Sequence, residues 1–197
     1  MPFWSIATNA DPKRQHRWLV DITAPELAPM ISYVCKKVNK PKMTIGEAEH
    51  KFINHTFYYP GGVTYDPISI TLVDPANPHS TQALYDLIQV AGYRRPDDIT
   101  AANIAPGEPD VSTMSKRRAT GALGSCIITQ MDGDGNAIER LELGNAWIKS
   151  VDYGGELSYD TEGLMEITME LRFDYFDLQT FTYQFPASDP GGAAENS

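Results

Sequence analysis

The stretch MEITMELRFDY, Met165 to Tyr175, alternates without error: Met165, Ile167, Met169, Leu171, Phe173 and Tyr175 against Glu166, Thr168, Glu170, Arg172 and Asp174. Period two is the mark of a half-buried strand, because successive side chains point to opposite faces of a sheet. Eleven residues in one strand would run roughly 36 Å at ~3.3 Å each, about twice the usual ~17–20 Å. A strand of that length suits a barrel wall better than a small sandwich, and an ordinary hairpin strand is the plain alternative.

Working outward, short β-branched and aromatic runs recur between turn signals: HRWLVDI, SYVCKKV, HKFINHTFYY, ISITLV, SCIITQM, AIERLEL and AWIKSVDY. With the final strand they predict a mainly β fold, a barrel or sandwich of two packed antiparallel sheets. One helix is predicted within NPHSTQALYDLIQVAGYRR. There Ser80 or Thr81 can cap, Leu84, Leu87, Ile88 and Ala91 form an apolar stripe, and Gly92 stands where a helix ends. Pro96 to Ala122 lacks apolar periodicity and is expected to be a long surface loop, a second candidate for subunit contact.

The 197 residues are 42% hydrophobic and 21% charged, which predicts a single folded domain over 1–185 with a flexible tail, PASDPGGAAENS, at 186–197. A net charge of −10 argues against binding nucleic acid by neutralising phosphates. The N-terminal sequence lacks a signal-like apolar run, and no stretch approaches the ~20 apolar residues of a membrane span. Cys35 and Cys126 belong to no CxxC pair, so buried thiols are expected rather than a zinc site or a disulfide framework.

Signals for catalysis are thin. Asp132, Asp134 and Asn136 match the first ligand positions of a calcium loop, but Ala137 replaces the required Gly and Leu143 the required Glu. A hairpin turn between SCIITQM and AIERLEL reads better, since Asp-Gly pairs tolerate positive φ. His50 and His55, read in one continuous strand, point to opposite faces and share no metal. GALGSCI is no nucleophile elbow, and no phosphate-binding glycine loop occurs. Neither enzyme nor cofactor is expected. The basic residues Arg94, Arg95, Lys116, Arg117 and Arg118 read as a solvated loop or a salt-bridged contact between subunits.

HKFINHTFYY carries an apolar surplus. As one strand it places Phe52, Asn54, Thr56 and Tyr58 on one face and Ile53, His55, Phe57 and Tyr59 on the other, so both faces are partly aromatic. A monomer's core uses one such face, and the second is a candidate for burial against another chain. Met43 to Val63 is accordingly expected to form an extended hairpin reaching a neighbouring subunit, with Ile45, Phe52, Ile53, Phe57, Tyr58 and Tyr59 in the contact.

Three segments carry a family resemblance: CKKVNKPKMTIGEAEHKFINHTFYYPGGVTYDPISITLVD, the later WIKSVDYGGELSYDTEGLMEITMELRFDY, and the helix between them. From roughly Trp18 to Asp177 the chain resembles the tail tube proteins of contractile-tailed bacteriophages. That resemblance implies two packed sheets with a flanking helix and homo-hexameric rings stacked helically into a hollow tube. It implies a sheath protein around the tube, baseplate and terminator proteins at its ends, and genome DNA passing through without specific binding. Location in the virion tail, after assembly in the host cytoplasm, follows. The inner tubes of contractile injection systems and type VI secretion, which deliver protein effectors, are the alternative. On this reading Glu166, Glu170 and Asp174 face the channel, with Arg172 as a partial offset, and a negative wall repels DNA phosphates; the competing assignment puts this strand on the outer sheet, toward the sheath.

Overall fold

The alternation of the sequence becomes an alternation of burial. The computed structural model describes residues 12–25, 27–28, 31–96, 113–155, 157–160 and 162–181. In β5, Ile68–Val73, residues Ile68, Ile70 and Leu72 are buried and the three between them half-buried; in β9, Glu166–Arg172, Ile167, Met169 and Leu171 are buried in the same rhythm. These two strands pair antiparallel at the centre of a four-stranded sheet, with β2, Cys35–Val38, outside β5 and β8, Trp147–Asp152, outside β9.

A second four-stranded sheet has the order β1, Trp18–Ile22; β6, Cys126–Met131; β7, Ala137–Gly144; and β10, Tyr175–Thr180. Val20, Ile22, Cys126, Ile128, Leu141 and Leu143 of this sheet share one buried cluster with Ile68, Ile70, Leu72, Ile167, Met169 and Leu171 of the other. The sheets therefore face each other as a sandwich, and neither closes into a barrel within the chain. β6 and β7 are joined by the predicted turn, where Asp132 Oδ1 accepts from the backbone N–H groups of Asp134 at 2.9 Å and Asn136 at 2.8 Å.

The eleven-residue strand is a correction. β9 stops at Arg172, Phe173 is buried 3% exposed at a corner, and the chain re-forms as β10 in the other sheet. The apolar pattern of the sequence runs on to Tyr175, but burial changes phase at the corner: Phe173 is buried, Tyr175 is 54% exposed, and Phe176 is the residue of β10 that packs on the core. Periodicity records which side of a strand is buried, and is silent on which sheet the strand belongs to.

HKFINHTFYY is likewise two strands. β3, Met43–Phe52, reverses at Ile53–Asn54 into β4, His55–Tyr65, and the pair stands as its own two-stranded sheet. The predicted Met43–Val63 hairpin is present. SYVCKKV divides into a short helix α1, Ile31–Val34, and β2.

The predicted helix is α2, Ser80–Val90, but its cap comes from elsewhere. His79 occupies the N-cap position without a side-chain bond, and Asp74 instead accepts from the N–H groups of Ser80 at 3.0 Å and Thr81 at 3.3 Å. A carboxylate there satisfies two orphan donors and lies at the positive end of the helix. The long loop is a further correction, because Lys116–Leu123 forms α3. Ser115 caps it by accepting from Arg118 N–H at 3.3 Å, and Ala119, Ala122 and Leu123 are buried. α2 and α3 meet over Ile148, where Leu87, Ile88 and Ala91 oppose Ala119, Ala122 and Leu123. The remainder of the expected loop, residues 97–112, and the expected tail at 186–197 lie outside the described residues.

Candidate functional site

The hairpin β3–β4 is the most exposed element of the fold. Every residue of β3 is exposed, and β4 is covered only in part at Thr56 and Tyr65. Its apolar residues are large: Ile53 is 84% exposed, Tyr58 64%, Phe52 62%, Ile45 57%, Tyr59 55% and Phe57 44%. A register of Phe52 opposite His55, His50 opposite Phe57 and Ala48 opposite Tyr59 gathers these six side chains on one face. Lys51 opposite Thr56, Glu49 opposite Tyr58 and Glu47 opposite Pro60 fall on the other.

The continuous strand is thereby corrected to a hairpin in which Tyr58 stands on one face, while Phe52 joins His55, Phe57 and Tyr59 on the other. His50 and His55 also share that face instead of opposing each other. His55 stacks edge-on against Phe57 with ring centroids 4.6 Å apart. At the turn, Ile53 holds φ +55°, the left-handed region where a β-branched residue is strained.

A bulge between Ile45 and Glu47 bends the hairpin near its foot, where Gly61 passes so close that a Cβ would stand 3.1 Å from the backbone of Gly46. Tyr65 anchors the foot against Phe173 and Phe176. Lys40, just before β3, donates to Glu139 of β7 and at 2.7 Å to Gln130 of β6; Lys13 also reaches Glu139, and Gln130 Nε2 donates to the Arg14 carbonyl at 3.1 Å. One half-buried carboxylate thus gathers the N-terminal arm and the approach to the hairpin. Partial burial works to raise the Glu139 pKa, but the two lysines outweigh it and hold the carboxyl below its ordinary range. No feature of the sequence pointed to Glu139; the lysines that meet it are distant along the chain.

The residues expected on a channel wall occupy varied settings. Glu166, Glu170 and Arg172 do lie on the side of β9 that faces away from the core. Glu166 pairs with Lys36; Glu170 accepts from Lys149 at 3.0 Å and from Ser150 at 3.1 Å. Asp174 has left the strand for the corner, where it pairs with Lys116 at 2.5 Å and accepts from Asn145 Nδ2 at 2.9 Å. These donors depress all three carboxyl pKa values. The face is therefore charge-compensated within one chain, and no bare acidic wall stands on β9.

Of the basic residues, Lys116 is bound to Asp174, Arg117 and Arg118 lie exposed on the first turn of α3, and Arg94 and Arg95 lie exposed after α2. Met114, Lys116, Trp147, Arg172 and Asp174 border an open cleft of about 440 Å³. Among the described residues, no group of three or more His, Cys, Asp and Glu is placed to hold a metal ion, and no helix is long and apolar enough to cross a membrane. Cys126 is buried, Cys35 partly so, and both are free.

No family model matches the chain, and no curated protein matches its sequence. Solved structures do match its fold. A chain in the cryo-EM structure of the anti-feeding prophage (AFP) baseplate, six-fold symmetrised, superposes with a TM-score of 0.60 at 11% identity, over 87% of this chain and 97% of that one. A chain in the sheath-tube complex of the PVC extracellular contractile injection system, in its extended state, gives 0.57 at 12% identity over 86% and 93%. The anti-feeding prophage tube-terminating cap gives 0.59 at 11% identity over 90% and 99%. At such identities the likeness is one of fold, and in fold this chain is similar to proteins built into contractile injection assemblies.

Proposed function

We propose that this chain is a structural subunit that assembles with copies of itself into a hollow tube. The observation that carries the reading is the hairpin β3–β4, a long element whose large apolar residues are left uncovered by the described residues of their own chain. Exposed apolar patches of this kind mark surfaces that another protein covers. The fold likeness to parts of contractile injection systems supports a second copy as that cover.

Rings of six copies stacked helically, a surrounding sheath, baseplate and terminator partners and a cargo in the lumen are the finer parts of this proposal. Genome DNA in a virion tail is one cargo and protein effectors are the other, and the fold neighbours fit either. Phe52, Ile53, Phe57 and Tyr59, with Ile45 and Tyr58 on the opposite side, supply the contact between copies.

Negative-stain electron microscopy with sedimentation of the purified chain tests the proposal. Rings or hollow rods are the expected result, and Phe57→Asp abolishes them while leaving the sandwich folded by circular dichroism. A chain that stays monomeric at high concentration even beside a preformed tube end refutes it. Assembly undisturbed by Phe57→Asp refutes the hairpin's part in it.

A further inference from the structure

Charge is sorted along the strand pair β8–β9. At one end Trp147 stands opposite Arg172; at the other Asp152 stands opposite Thr168, and the loop 153–165 joins the two strands. The six residues of β8 set these ends roughly 17–20 Å apart at ~3.3 Å per residue.

The first end is basic. The open cleft of about 440 Å³ lies there, bordered by Met114, Lys116, Trp147 and Arg172, with Asp174 holding Lys116. Gly92, just past α2, runs so close to Thr113 that a Cβ would stand 3.1 Å from the Thr113 carbonyl oxygen. Arg94 therefore leaves α2 beside the first turn of α3, which carries Arg117 and Arg118. Among the described residues no ion pair holds Arg94, Arg117, Arg118 or Arg172. In a chain of net charge −10 this is a local concentration of positive charge.

The second end is acidic and apolar. From Ser150 to Leu171 the sequence holds Asp152, Glu156, Asp160, Glu162, Glu166 and Glu170 and no Lys or Arg. Lys36 reaches in to Glu166 and Lys149 to Glu170, but Asp160 and Glu162 have no ion pair among the described residues. Beside them Leu157 is 81% exposed, Leu164 73%, and Tyr159 fully. Large apolar side chains left bare together on one loop mark a surface that another protein covers.

The two ends are complementary in kind. Met114 and Trp147 give the cleft an apolar lining, and Arg172 adds a planar cation that suits both a carboxylate and an aromatic face. Tyr159 and Asp160 are adjacent in the loop and supply one of each. Tyr, Trp and Arg are the side chains that carry most of the energy of protein interfaces. A chain cannot seat its own loop, because β8 and β9 hold that loop at the end away from the cleft.

We infer that the loop 153–165 of one copy seats in the Trp147–Arg172 cleft of another, with Tyr159 on Trp147 and Asp160 paired to Arg172; the inference rests on the reading that copies assemble. The joint uses different surfaces on its two sides. Each pair of copies keeps one free loop and one free cleft, so the contact propagates in one sense instead of ending at a dimer. It is also separate from the hairpin, whose strands pair with neither β8 nor β9. Burial of apolar surface drives the hairpin contact, while opposite charge at the cleft fixes which end meets which.

Two charge reversals in the full chain test this contact. In Arg172→Glu both cleft and loop are acidic; in Asp160→Arg both are basic. Each variant alone is expected to lose roughly tenfold or more of its sedimenting fraction at low ionic strength, with circular dichroism unchanged. Mixed in equal amounts, each variant offers the loop that the other's cleft accepts, and assembly is expected to return. Either variant assembling as the parent does, or two folded variants that stay unassembled when mixed, overturns the loop-in-cleft contact and leaves the tube reading standing. A parent chain with no assembled fraction overturns both.

Discussion

Tyr65, at the foot of the hairpin, packs on Phe173, with ring centroids 5.6 Å apart and planes tilted by 45°. Phe173 is the corner residue between β9 and β10, and Phe176 of β10 completes the group by meeting Tyr65 edge-on at 5.7 Å. The hairpin, which has no core of its own, is therefore aimed by a contact at a corner where the chain passes directly from one sheet into the other.

Tyr65→Ala separates aim from stability. Aromatic pairs add ~0.5–1.5 kcal/mol beyond their buried area, so the thermal midpoint should fall by only a few degrees. Assembly measured by sedimentation should fall much further, because a hairpin without its foot meets a neighbour in many orientations. Equal losses in both measurements would mean that Tyr65 is simply part of the core.

Ile53→Gly addresses the strained turn. Relief of a left-handed β-branched residue gains on the order of 1 kcal/mol locally, so hydrogen exchange in β3 and β4 should slow about fivefold in the unassembled chain. If Ile53 is an anchor against a second copy, the same variant should assemble less well despite its firmer hairpin.

The pH dependence follows from Glu139. Its carboxyl is depressed in the folded chain, so its contribution is complete above the unfolded pKa of ~4.3 and disappears as the pH drops through the lower folded value. Denaturant midpoints should decline on acidification below about pH 5. Glu139→Gln should be less stable than the parent at neutral pH and should converge with it in acid. Parallel curves would show that the lysine pair contributes nothing.

The thiols give a fourth prediction. Burial pushes both Cys35 and Cys126 up to about 12, far from thiolate formation at neutral pH. Alkylation should be slow in the folded chain and rapid in denaturant. Assembly should be indifferent to reductant, and a loss of tubes on reduction would point to a disulfide between copies.

The strands and α2 were legible because burial imposes periods of two and 3.6 on the sequence. Three features were hidden for separate reasons. The corner at Phe173 was hidden because Tyr175 continues the apolar pattern of the sequence, although it is exposed and Phe176 takes the core-facing place in β10. The hairpin turn at Ile53–Asn54 lacks the Asn-Gly or Asp-Gly signal that usually marks a two-residue loop. The signal for α3 was present, with Ser115 as cap and Ala119, Ala122 and Leu123 at helical spacing, but was masked by the polar composition around it. Among the expected contact residues, the hairpin set is exposed on both faces, where the sequence reading had given one face to the chain's own core. The partners of Glu166, Glu170 and Asp174 were not readable, because those lysines come from other strands and from α3.

The corner at Phe173–Asp174 also has a mechanical meaning. Asp174 donates its backbone N–H to the Gly144 carbonyl at 3.0 Å, and its carboxylate holds Lys116 and Asn145. A sandwich of two independent sheets can yield by one layer sliding over the other. Here a single chain is hydrogen-bonded into both layers on either side of a pinned corner, so sliding requires unzipping β9 or β10 from its neighbours. The two layers resist shear as one plate.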